Sequence, residues 1–238
     1  MGTLVLVRHG QASFMAADYD KLSPSGERQA RLLGEHWARL GIKLDRAYSG
    51  PRVRQRHTAQ IALEAMRAAG GACPELETIE ALDELQAEGL SAQLALLSRH
   101  DPEVSAIAED YALMAQGQYP TRSYPVRIER LFTAWIESGL SLPDVEHWND
   151  FHARVRGAVQ AICARAPSGG RVVGFTSAGT ISTVIQLSLG LAPAVAANLM
   201  WRVRNSSQNE FLFSKDRFSL HAFNGTPHLE DGALLTYR

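Results

Sequence analysis

Three short polar segments stand directly behind apolar runs that read as β-strands. Arg8-His9-Gly10 follows residues 4–7, the segment 49–56 follows a run starting near Asp45, and Thr176-Ser177-Ala178-Gly179 follows residues 172–175. In open α/β sheets, ligands sit beyond the carboxyl ends of the strands. Turns from strand to helix also offer free backbone N–H groups and the positive end of a helix dipole to an anion. Arginine adds a planar fork of donors that matches phosphate oxygens. A fold that converges these three segments makes a phosphate pocket.

The elements needed to position them are legible as alternating strand and helix patterns. Strands are expected at 4–7, 45–49, 76–79, 172–175, 210–213 and 219–223. Helices are expected at 24–40, from about 51, at 148–162 and at 179–189. Ser23 can cap the first helix, Pro24 suits its first turn and Gly41 can end it. Ala30, Leu33, Trp37 and Leu40 form its apolar stripe, and Trp148, Phe151, Val155, Val159 and Ile162 form that of the third. This order implies an α/β three-layer sandwich, its mainly parallel sheet flanked by helices. The chain reads as a single domain over 1–238. A mostly helical insertion at about 90–139, interrupted at residues 116–120, forms the roof of the pocket.

Composition excludes several classes. The chain has 238 residues, 45% hydrophobic and 21% charged, with a formal net charge of −1. That balance argues for no nucleic-acid or membrane partner, and no apolar run reaches the ~20 residues of a membrane span. Charge is uneven locally: residues 28–67 carry nine Lys or Arg against three acids, whereas residues 75–88 carry six acids and no base. The basic stretch suits an anionic substrate. Cys73 and Cys163 form neither a disulfide framework nor a metal-binding spacing. No cofactor or metal is implied, and the cytoplasm is the expected location. Nothing in the sequence sets the oligomeric state.

The run Leu4-Val5-Leu6-Val7-Arg8-His9-Gly10-Gln11-Ala12 resembles the signature of the histidine phosphatase superfamily, which includes the cofactor-dependent phosphoglycerate mutases. Residues 22–30 resemble that family's next block, and residues 49–59 its second arginine block, with the functional arginine at Arg54. Phe223-Asn224 with His228-Leu229 extends the resemblance to the end of the chain. The resemblance implies that His9 attacks phosphorus to form a phosphohistidine, splitting one hard displacement into two easier ones. Arg8 and Arg54 would neutralise the phosphoryl oxygens and, by their charge, keep His9 neutral. The family's Leu-x-Glu pattern falls on Leu82-Asp83-Glu84 and implies Glu84 as the acid that protonates the leaving oxygen, with Asp83 and Glu88 as competitors. Gln11 and Ser13, just behind the first motif, are further candidates for contact with substrate.

The pattern breaks at one position. The family carries a second histidine in a Ser-His-Gly turn, and here the matching turn is Ser177-Ala178-Gly179. The alanine methyl can neither bind nor stabilise a phosphoryl group, and one lost preorganised donor costs ~3 kcal/mol. Ser177, Thr176 and the backbone amides of the turn can serve instead. His57, three residues after Arg54 on the same helix face, could also replace the missing ring. The expected reaction is hydrolysis of a phosphomonoester, either a small phosphorylated substrate or a phosphoprotein. The alternatives are a phosphoglycerate mutase-type phosphotransferase and a non-catalytic phospho-ligand or protein-interaction module. The mutases' Glu-Arg-His-Tyr-Gly motif is absent here, since Glu84 is followed by Leu85-Gln86-Ala87.

Overall fold

The computed structural model describes residues 1–13, 20–93, 97 and 124–237. Its strands are β1 (Gly2–Arg8), β2 (Arg46–Ser49), β3 (Leu76–Thr78), β4 (Arg171–Thr176), β5 (Gln208–Phe213) and β6 (Phe218–Gly225). They form one sheet in the order β3-β2-β4-β1-β5-β6. The first four in that order run parallel, and β5 and β6 join by antiparallel pairing. The helices among the described residues are α1 (Pro24–Arg39), α2 (Val53–Ala68), α3 (Tyr124–Ser138), α4 (Trp148–Arg165), α5 (Ala178–Leu189) and α6 (Pro193–Met200).

Period-two alternation divides the core between the two faces of the sheet. Val5, Val7, Val173 and Phe175 pack with Leu33 and Trp37 of α1 and with Ala62, Leu63 and Met66 of α2. Leu4, Leu6 and Val172 pack on the other face with Phe151, Val155 and Ile162 of α4 and with Ile181 and Val184 of α5. The result is the three-layer α/β sandwich expected from the sequence. Every residue of α5 from Ala178 to Gln186 is buried, its small polar side chains Thr180, Ser182 and Thr183 included.

The ends of the helices follow local chemistry. Ser23 accepts from Gly26 N at 3.1 Å to cap α1, and Gly41 turns the chain away in the left-handed region at φ 63°. One stripe residue departs from expectation: Leu40 lies at the C-cap and is 55% exposed. The second helix starts at Val53 rather than 51, because Arg52 still has extended backbone. The sequence pattern did not mark α6, a helix of only eight residues. Within the expected insertion, α3 is the main described element, and the interruption at 116–120 lies outside the described residues. No helix among the described residues is long and apolar enough to cross a membrane.

Candidate active site

Adjacent parallel strands bring the first and third polar segments together. Arg8 of β1 is in register with Thr176 of β4, and His9 N donates to Thr176 O at 2.9 Å. The second segment arrives from α2, where Gly10 N donates to Thr58 Oγ1 at 3.0 Å and Thr58 Oγ1 donates to Arg54 O at 2.7 Å. A side chain at position 10 would strike the Gly26 carbonyl, so the tight packing of this loop on α1 requires glycine.

His9 is buried, and its protonation pattern follows from its partners. Nδ1 lies 2.8 Å from Gly10 O, and a carbonyl only accepts, so Nδ1 carries the hydrogen. The lone pair is therefore on Nε2, which accepts from Arg54 Nε at 3.2 Å. Burial holds the pKa of His9 well below its ordinary value. The Arg54 and Arg8 charges push the same way, and the bond to Gly10 O opposes them in part. Arginine charge was the cause anticipated from the sequence; burial is the larger one. These partners and the lowered pKa favour a neutral imidazole whose lone pair is on Nε2.

Both arginines are fixed by groups outside their own motifs. Arg54 Nη1 pairs with Asp20 Oδ1 at 2.7 Å, and the same carboxylate accepts from Val53 N at 2.8 Å at the start of α2. Arg8 Nη1 donates to the backbone carbonyls of Val203 and Tyr237. Beside it, Ser206 N donates to Arg8 O at 3.0 Å and Asn205 Nδ2 donates to His9 O at 3.2 Å. The turn after α6 thus braces the Arg-His-Gly loop from behind.

Glu84 reaches the third segment. Its Oε2 accepts from Gly179 N at 3.4 Å in the first turn of α5, and its Oε1 accepts from Leu85 N at 2.9 Å. A side chain on Gly179 would collide with this carboxylate. Asp83 points elsewhere, pairing with Arg52 at 2.7 Å and accepting from Glu84 N. The side chain of Glu88 lies outside the described residues. Of the two acids whose side chains are described, Glu84 is the one set against the turn that carries Ser177 and Ala178.

The remaining candidates divide. Ser177 is fully buried, and its Oγ accepts from Gln55 Nε2 at 2.8 Å, leaving its own hydrogen to donate. Ala178 is buried as the first residue of α5. Gln11 Oε1 accepts from Ser23 Oγ, and Ser13 Oγ donates to Leu22 O, so both side chains stitch the loop before α1. His57 is half-buried, with no hydrogen bond to His9, Ser177 or Glu84; the α2 side chain that reaches the Ser177 turn is Gln55. His228 is buried, 2.9 Å from Ser206 Oγ. Asp20, Gln55, Thr58, Asn205 and Arg154 were not anticipated. Each acts through a contact remote in sequence, and no local pattern marks such contacts.

Comparison with known proteins follows the same lines. A family model described as the histidine phosphatase superfamily (branch 1) matches residues 4–106 and 116–226. No curated protein matches the chain. Among solved structures, a phosphoglycerate mutase from Bacillus anthracis is 19% identical, with a TM-score of 0.64 over 96% of this chain and 95% of that one. A mycobacterial glucosyl-3-phosphoglycerate phosphatase is 21% identical, with a TM-score of 0.63 over 94% and 100%. A phosphoserine phosphatase from Entamoeba histolytica is 20% identical, with a TM-score of 0.63 over 96% and 100%. At these identities the likeness is one of fold.

Proposed function

The chain belongs to the histidine phosphatase superfamily, and on that premise we propose that it is a phosphomonoester hydrolase working through a phosphohistidine on His9. The observation that carries this reading is the state of His9: neutral, with Nδ1 tied to Gly10 O and the Nε2 lone pair against Arg54. In the first step Nε2 forms a bond to phosphorus as the bond to the ester oxygen breaks. Glu84, in its protonated form, gives its proton to that leaving oxygen. Arg8 and Arg54 balance the charge on the phosphoryl oxygens. In the second step water attacks phosphorus, Glu84 takes up its proton, and the phosphate leaves with His9 restored.

Ser177 and the first amides of α5 take the place of the family's second histidine, at the positive, buried end of that helix. Substrates are small phosphomonoesters, the class named for two of the relatives above. A cytoplasmic setting belongs to the same reading, with Cys73 and Cys163 both free thiols. Ala178 favours a second reading, in which the site holds a phosphorylated ligand without turning it over. Rapid quenching with a labelled phosphomonoester tests the proposal. An acid-labile label on the wild-type chain that is absent from His9→Ala, together with release of inorganic phosphate, supports hydrolysis. Tight ligand binding with neither label nor release supports the second reading, and transfer between two phosphoglycerates in place of release indicates a mutase.

A further inference from the structure

We propose that Arg154 is a positioning residue for the acid: its guanidinium fixes the segment that carries Glu84 and thereby aims the proton donor. The inference rests on the reading of Glu84 given above. A short 3-10 turn (Glu80–Leu82) precedes Glu84, and residues 84–87 belong to no helix or strand. Their backbone groups must find partners elsewhere. Arg154, on α4, supplies the partner of Glu84 O and two more for the carbonyls just before it. Its Nη1 donates to Ala81 O at 3.1 Å and Asp83 O at 3.0 Å, and its Nη2 donates to Glu84 O at 2.9 Å.

The same guanidinium is itself locked. Nε donates to Glu146 Oε1 at 2.6 Å and Nη2 to Glu146 Oε2 at 2.8 Å, so all five of its N–H groups are used. Its carbon lies 4.8 Å from the centre of the Phe151 ring, on the preceding turn of α4. Glu146 also holds the acid's segment directly, since Glu146 N donates to Gln86 O at 2.7 Å. Thr176 Oγ1 takes the one intervening carbonyl, Leu82 O, at 2.6 Å. Four successive carbonyls, 81 to 84, are thus held from α4 and from the end of β4. Arg154 touches the backbone and not the Glu84 carboxylate, so it shapes where the acid sits. Lysine, a point charge with three donors, cannot reproduce this fork.

Proton donation matters for an alkyl phosphate, whose leaving oxygen is a strong base, and little for an aryl phosphate with an acidic phenol. Steady-state rates on both esters should therefore be compared for wild type, Arg154→Met, Glu84→Gln and the double variant, each as the full chain. Misplacing a catalytic group by about 1 Å costs on the order of 100-fold. Arg154→Met is expected to lower kcat on the alkyl ester about 100-fold, with little change on the aryl ester or in KM. In the Glu84→Gln background the same substitution should add almost nothing. Equal losses on the two esters, or independent losses in the double variant, would overturn the positioning role. If Glu84→Gln discriminates between the esters and Arg154→Met does not, Arg154 alone is refuted. If Glu84→Gln itself does not discriminate, the acid assignment falls and this inference with it. Should Arg154→Met fail to fold, Glu146→Gln decides: the same ester-selective loss, smaller in size, supports the role, and a flat response overturns it.

Discussion

Arg54 Nε lies 3.2 Å from His9 Nε2, so the nitrogen that would attack phosphorus is held by the guanidinium that would receive the phosphoryl oxygens. One lone pair cannot serve both bonds. An arriving phosphoryl group must draw the Arg54 donors onto its own oxygens, and that exchange frees Nε2 at the moment the electrophile is in place. Asp20 keeps the other end of Arg54 anchored while this happens.

The first prediction concerns the charge on His9. Its pKa is depressed, so the neutral form persists as pH falls through the ordinary histidine value of 6.5 and is lost only well below it. Nitrogen NMR of the ring should show a neutral Nδ1–H tautomer at pH 6.5 and as the pH falls below it. Removing the Arg54 charge, as in Arg54→Gln, should move the midpoint upward. An imidazolium at pH 6.5 in the wild-type chain would contradict the assignment.

Replacing Arg54 by lysine preserves charge and removes both the planar fork and the Nε donor. Loss of one preorganised donor to a developing oxyanion costs 10²- to 10³-fold in kcat, and a loss of about that size is expected. A variant within threefold of wild type would show that Arg54 supplies charge alone.

Ser177→Ala should affect stability as well as rate. Gln55 Nε2 would lose its 2.8 Å partner and keep only Leu82 O at 3.5 Å, inside a fully buried site. A buried donor left poorly satisfied costs about 1–3 kcal/mol, to be read from denaturant unfolding. An unchanged midpoint would mean that Gln55 finds another acceptor.

Ala178→His reinstates the ring that the family pattern places at this turn. If the turn faces the transferring phosphoryl group, the added donor should raise kcat by ~10-fold or more. No change would place position 178 outside the phosphoryl pocket in this chain.

Local chemistry made much of this legible in the sequence. Ser23, Pro24 and Gly41 bracket α1 as their backbone preferences require, and the unbroken apolar run of residues 4–7 marks a strand buried on both faces. The same reading located Arg8, His9, Arg54 and Ser177 at the ends of strands or at the start of a helix, where the fold gathers them. Contacts across long sequence separations were not legible. Arg154 meets the backbone of Glu84 from 70 residues away, and its spacing on α4 resembles that of any solvated arginine. Asp20 meets Arg54 from a loop with no periodicity to mark it. The misjudged position was Leu40, where helical spacing alone cannot tell how far the apolar stripe runs before the helix ends.

Steady-state hydrolysis of a generic aryl phosphate, with wild type and His9→Ala prepared identically, tests the central claim most directly. The account predicts measurable turnover by the wild-type chain despite Ala178, and its loss to background in the variant. Equal rates in the two preparations would contradict His9 as the nucleophile.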